Sequence, residues 1–149
     1  MTNATIPDTI ERELDLPYPI ERVWRAITEP AELAKWFGDS AEVDLRPGGA
    51  AMFGWSQYDA RGPAVVEAVD PPRRFAFWWV AGEGDKVELH NRTLVDFTLE
   101  PTDGGTHLRL VESGFAALAD GEKLRSGNVE GWIAELGELE AYLRGDAVA

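Results

Sequence analysis

The sequence predicts an α+β domain: a curved antiparallel sheet of about seven strands, two short helices after the first strand, and a long C-terminal helix across the concave face. Three observations carry that reading. A strand-like segment near the N-terminus is followed at once by an apolar stripe of helical period. The middle of the chain is a series of short apolar runs separated by Gly, Pro and Asp, the mark of an antiparallel meander. The C-terminal part then returns to a long helical period. At 149 residues the chain suits one domain, and two would each be small for a core of their own, so residues 1–149 are read as a single unit.

Taken in order, Thr9 to Leu16 alternates Ile10, Arg12, Leu14 and Leu16 against Glu11, Glu13 and Asp15, which predicts a half-buried strand. Pro19 suits the first turn of a helix, where its missing N–H costs nothing. Ile20, Val23, Trp24 and Ile27 then form one stripe. Pro30 ends that helix and opens a second through Leu33, Trp36 and Phe37, with Gly38 as its terminator. Strands are predicted over Glu42–Arg46, Ala51–Gln57, Val65–Val69, Phe75–Val80, Leu89–Leu99 and His107–Phe115. Their turns fall at Pro47-Gly48-Gly49, Pro71-Pro72, Gly82–Asp85 and Asp103-Gly104-Gly105. In the last segment Val129, Trp132, Ile133, Leu136, Leu139 and Leu143 lie at helical spacing, and the helix starts at Asp120 or Asn128, both acceptable N-caps. Gly127, Gly131 and Gly137 each cost up to ~1 kcal/mol relative to Ala inside a helix. Such a helix needs strong packing, and the sheet is the only surface large enough to supply it.

Composition narrows the function classes. The formal net charge is −13, and the 14 Lys and Arg are scattered, with Arg73-Arg74 the one adjacent pair. A phosphate backbone or an anionic membrane would be repelled, so neither nucleic acid nor membrane is an expected partner. There is no Cys, which removes disulfides and thiolate chemistry. No run of eighteen apolar residues occurs, and Met1 to Asp8 lacks the basic and apolar regions of a signal peptide. The expectation is a cytoplasmic protein.

Five segments resemble one known family in their residues and their order. They are PIERVWRAITEPAELAKWF (Pro19–Phe37), LRPGGAAMF (Leu45–Phe53), VDPPRRFAFWW (Val69–Trp79), LVESGF (Leu110–Phe115) and GWIAELGELEAYL (Gly131–Leu143). The family is named after the activator of the heat-shock protein 90 ATPase and belongs to the START-like (SRPBCC, birch-pollen-allergen-like) superfamily. The resemblance covers about Thr9 to Arg144. It implies the helix-grip fold, with a hydrophobic cavity between the sheet and the long helix. Some members of the superfamily bind lipids or hormones, and some are cyclases or hydrolases. The co-chaperone that names the family has two domains, of which only the second resembles this chain.

Period-two alternation assigns faces to the strands, subject to bulges. Phe53 and Trp55 are expected to face the helix, with Met52 and Gly54 opposite. Phe75, Phe77 and Trp79 share a face that excludes Trp78. Val95, Phe97 and Leu99 form one inward set, and Leu108, Leu110 and Glu112 another. The helix adds Trp132, Leu136 and Leu139, and Trp36 is placed at the mouth. The candidate ligand-binding set is therefore Trp36, Phe53, Trp55, Phe77, Trp79, Val95, Phe97, Glu112, Trp132 and Leu136. The same residues also suit a fully packed core, because aromatics bury large areas in ordinary interiors.

Glu112 is the polar position of most interest. Its parity directs a carboxylate to the apolar side, as a polar anchor for a ligand, unless the strand ends there and the side chain reaches water. Asn91 and Thr93 are softer candidates for ligand hydrogen bonds, with structural hydrogen bonding as their plainer role. His107 is expected to face out and His90 to oppose Asn91 and Thr93, and no HExxH spacing exists, so no metal is expected. No G-x-S-x-G surrounds a Ser, and Gly48-Gly49 sits in a hairpin rather than before a helix. No catalytic residue and no cofactor are assigned. The leading expectation is non-enzymatic binding of a small apolar or aromatic molecule. The alternatives are a cyclase- or hydrolase-type enzyme using the same cavity, and a chaperone-interacting module with a protein partner. The sequence sets no oligomeric state.

Overall fold

In a computed structural model, residues 7–82 and 84–145 are described. Most of the N-terminal segment read for a signal peptide, and Glu83 of the Gly82–Asp85 turn, lie outside them. The described chain runs β1 (Thr9–Leu16), α1 (Ile20–Thr28), α2 (Pro30–Trp36), β2 (Ser40–Val43), β3 (Ala50–Trp55), β4 (Ala60–Asp70), β5 (Arg74–Val80), β6 (Arg92–Thr102), β7 (Gly105–Ser113) and α3 (Gly121–Arg144). The seven strands form one antiparallel sheet in the order β1-β7-β6-β5-β4-β3-β2. The α+β helix-grip architecture is thus present, with α3 packed on the inward face of the sheet.

Several elements differ from the sequence reading for local reasons. β2 ends at Val43 because the chain turns at Asp44, where the Arg46 N–H bonds back to the Asp44 carbonyl at 2.8 Å. β4 begins five residues before the predicted Val65, through Ala60-Arg61-Gly62-Pro63, a run that reads as a loop. The sequence tolerates a proline there because β4 pairs with β5 only from Ala64↔Trp79 onward. Pro63 therefore sits on an edge, where its missing N–H breaks no bond toward β5. β6 begins at Arg92, not Leu89, and Leu89 is exposed. Asn91 holds the preceding loop instead, accepting from the Glu88 N–H and donating to the Lys86 carbonyl. α3 begins at Gly121, so Asn128 lies inside it.

Strand parity holds wherever the candidate site residues lie. Thr93, Val95, Phe97 and Leu99 of β6 are buried, as are Leu108, Leu110 and Glu112 of β7. A bulge does occur on β4, between Val66 and Ala68, and it moves Val69 to the side of Val66. On α3 the buried stripe is Trp132, Leu136, Leu139 and Leu143, while Ile133 is 51% exposed. The helical glycines do not serve close packing. A Cβ added at Gly127, Gly131 or Gly137 meets nothing within 4 Å. Gly131 therefore does not bring the helix backbone close to the sheet, contrary to the simplest reading of a glycine beside Trp132.

The outer face of β1 and β7 carries a charge ladder. His107 lies 2.8 Å from both Asp15 (Nδ1) and Glu13 (Nε2), and Arg109 donates to Glu11 at 2.9 Å. The Asp15 and Glu13 contacts raise the His107 pKa above the ordinary 6.5.

Two outcomes are expected. Gly127→Ala and Gly137→Ala should each raise stability by about 0.5–1 kcal/mol, because a better helix former enters open space; urea midpoints check this. The His107 pKa is higher folded than unfolded, so its contribution is present below about pH 6.5 and is lost as pH rises through the folded value. The stability difference between wild type and His107→Gln should therefore be largest near pH ~6 and shrink toward pH ~8, read from midpoints across that range.

Candidate functional site

Most of the predicted aromatic set forms a closed interior. Phe53, Phe77, Val95, Phe97 and Leu136 are all buried. Trp36 does not stand at a mouth: it is 2% exposed, and its indole N–H donates to the Ala26 carbonyl at 2.8 Å, tying α2 to α1. The centre of the assembly is Phe37, which follows α2. Its ring stacks on Trp132 (5.4 Å between centroids, 7° between planes) and on Trp79 (5.7 Å, 23°), with Phe53 and Trp55 meeting it edge-on. Gly38 makes this placement possible. It turns the chain at φ +74°, and any Cβ there would lie 2.2 Å from the Gly54 carbonyl oxygen.

Behind these rings lies Glu112, 0% exposed and so not at a solvent-reaching strand end. Its carboxylate accepts from four side chains. Trp132 Nε1 reaches Oε1 at 2.8 Å, and Trp79 Nε1 reaches Oε2 at 2.9 Å. The Thr93 hydroxyl donates to Oε2 at 2.5 Å while itself accepting from Trp79 at 3.1 Å. Asn128 Nδ2 lies within 3.1 Å of both oxygens. The expected polar anchor is thus engaged by the protein's own donors. Trp78, on the opposite face, bonds Glu67 through its indole N–H and lies under the Arg92 guanidinium at 3.9 Å.

An open cleft of about 350 Å³ lies at one end of this assembly. Its position follows from the sheet. Beyond Ala64↔Trp79 the β4–β5 pairing stops, so Ala60–Gly62 on one side part from Val80–Gly82 on the other, and α3 roofs the gap. Trp55, Trp79 and Trp132 from the predicted set line it, together with Phe37, Tyr58 and Gly62. Gly62 is a floor without a side chain. A Cβ built on it would rest 3.5 Å from both the Trp55 and Trp79 rings. Asp59, beside Tyr58, holds a left-handed conformation at φ +49°, which turns the chain over the rim.

The polar side chains of the lining are led by Asn128 and Glu135. The Trp55 indole N–H donates to Glu135 Oε1 at 3.3 Å, while Oε2 is sealed from solvent with no hydrogen bond of good geometry. Burial pushes the Glu135 pKa up; Trp55 and the nearby Gly38 N–H oppose that shift, and Glu138 adds to it. Arg61 also borders the cleft, but its register with Gly54 and Ser40 puts it on the other face of the sheet from Phe53 and Gly62. Among the described residues no three His, Cys, Asp or Glu come together as a metal site, and no helix is long and apolar enough to cross a membrane.

This combination of fold and cleft has counterparts. Residues 17–144 match the family described as Activator of Hsp90 ATPase homolog 1-like protein. The chain belongs to that family. Among solved structures it is similar to protein MLL2253 from Mesorhizobium loti, at 28% identity and a TM-score of 0.80, over 94% of this chain and 99% of that one. It is similar to Ms6760 from Mycobacterium smegmatis at 26% identity and 0.72, over 95% and 92%. DynU16, a protein of the dynemicin biosynthetic locus, aligns at 25% identity and 0.75 over 93% of this chain, which spans 48% of DynU16. Comparison with curated proteins gives no match.

Sequence reasoning missed Phe37, Gly62, Asn128 and Glu135 as cleft residues of this family member. Gly62 had no legible signal, because the predicted strand starts at Val65 and the glycine's place inside β4 comes from the structure. Asn128 was one of two possible helix starts; the other, Asp120, caps α3, which places Asn128 within the helix and lets it turn toward Glu112.

Glu112→Gln should lower stability by about 2–3 kcal/mol, because the amide NH2 would face donors and strand at least one of them. Urea unfolding followed by tryptophan emission checks this, and an unchanged midpoint would show the network to be energetically idle.

Proposed function

We propose that the protein binds a small, flat, largely apolar molecule in the cleft between the open end of the sheet and α3. The carrying observation is the cleft itself: a space of about 350 Å³ walled by Trp55, Trp79, Trp132 and Phe37, with Gly62 leaving its floor clear. That size and an apolar lining with few polar groups are typical of small-molecule sites. The ligand would lie against the cleft's indole rings rather than inside the core, where Phe37, Trp79 and Trp132 already pack against one another. Membership of the family and superfamily supports a binding role, and DynU16, a protein in a biosynthetic locus, is consistent with it. Thr93, Glu112 and Asn128 are tied to one another, which favours binding over acid–base chemistry at this site.

Burying ~300 Å² of apolar ligand surface gives roughly 7.5 kcal/mol, and the lining adds to it. Association costs at least ~4 kcal/mol, and one side of an open cleft stays wet, so affinities near tens of micromolar are expected. Titration with flat aromatic probes should give a saturable change in tryptophan emission. Gly62→Val should abolish it with little loss of stability, because the added carbons enter the cleft, not the core. Trp79→Ala should alter the response more than Trp78→Ala, whose ring lies on the other face. Saturable binding that survives Gly62→Val unchanged would place the ligand elsewhere.

A further inference from the structure

We propose that this cleft selects aromatic cations, meaning a flat ring bearing a protonated amine, over neutral or anionic rings of the same shape. The inference rests on the ligand-binding reading above and concerns the charge of what enters. Two carboxylates stand in the cleft wall, Glu135 at the lining and Glu112 directly behind Trp79 and Trp132. Neither takes part in any of the ion pairs among the described residues. Buried or half-buried carboxylates normally have a cationic partner, and here the donors around them are neutral indoles, a hydroxyl and an amide.

The surrounding groups favour the same charge. Indole faces attract cations through their ring quadrupole, and Trp55, Trp79 and Trp132 all spend their N–H edges on Glu135 or Glu112. Asn128 turns its NH2 toward Glu112, which leaves Oδ1 as the acceptor end of that amide for an ammonium N–H. Glu138 adds further negative charge near Glu135. Arg61 borders the cleft, with its register placing it on the face opposite Gly62, and Arg12, inward-facing on β1 beside the strand of Glu112, forms no ion pair with that carboxylate. A net charge of −13 adds long-range attraction for any cation approaching the molecule.

The test uses one ring with three charges on the full-length chain: tryptamine, 3-methylindole and indole-3-acetate, titrated by calorimetry at pH 7. Tryptamine should bind about tenfold more tightly than 3-methylindole, and indole-3-acetate most weakly. Glu135→Gln should weaken tryptamine by a larger factor than 3-methylindole and so narrow the gap between them; an equal loss for both would count against the charge preference. If that variant does not fold, the wild-type preference should still shrink between about 20 mM and 500 mM salt, since it is electrostatic. Equal affinities for the three, or tightest binding of indole-3-acetate, would overturn the charge preference and leave the cleft as a ligand site. Absence of binding by all three and by uncharged aromatic probes would remove both readings.

Discussion

A carboxylate on the apolar face of a sheet has to be given hydrogen-bond donors, and Glu112 takes them from two strands and the helix at once. Trp79 on β5 and Thr93 on β6 supply one oxygen, Trp132 on α3 supplies the other, and Asn128 on α3 bridges both. An apolar residue at Glu112 would take the acceptor from the Trp132, Asn128 and Thr93 donors and leave Trp79 only its bond to Thr93, at a cost of roughly 1–3 kcal/mol for each donor left buried and unpaired. The position of α3 over the sheet is therefore set by direction as well as by burial. Leu136, Leu139 and Leu143 would pack against many surfaces, but only one register lets the Trp132 and Asn128 donors meet the same carboxylate.

That constraint also orders the aromatic rings. With the indole N–H groups of Trp79 and Trp132 fixed on Glu112, the two rings meet each other at 5.9 Å, and Phe37, from the end of α2, packs against both with its plane close to theirs. Phe37 in turn meets Phe53 and Trp55 edge-on, the offset geometry that ring quadrupoles prefer. The interior is filled because a side chain from the α2–β2 connection occupies it. The cleft remains open beside Phe37, where β4 and β5 have stopped pairing.

The architecture was legible because its signals are periodic and long. Alternation over Thr9–Leu16 and over the β5, β6 and β7 segments places side chains correctly, and the α3 stripe is right except at Ile133. Boundaries failed where one residue carries two meanings. Gly62-Pro63 falls before the predicted strand start at Val65, yet it lies inside β4, because the missing β5 partner removes the usual objection to proline. Leu89 reads as the start of a strand, yet Asn91 closes a loop there with its side-chain amide. The candidate set was legible as a face but not as a boundary between core and cleft. Period two says which residues share a side, and nothing in it says that Phe37 would fill the middle of that side. Glu112 shows the limit most clearly: parity gives its direction, whereas its donors come from positions sixteen to thirty-three residues away in sequence.

The glycines of α3 acquire a different meaning from their surroundings. Each weakens the helix by up to ~1 kcal/mol, and none is required by close contact, since added Cβ atoms would meet open space. Helix packing therefore does not explain them. Gly131 lies in the roof of the cleft beside Trp132, facing the gap whose floor is Gly62. A glycine on each side keeps side chains out of a space that indoles otherwise surround. Packing at crystal-like density closes such gaps wherever side chains can reach. An opening here thus depends on three local features acting together: strands that part, a floor without a Cβ, and a roof without one. The two opposed glycines keep the gap wide enough for a flat ring, and the carboxylates behind the indoles set the charge it would meet.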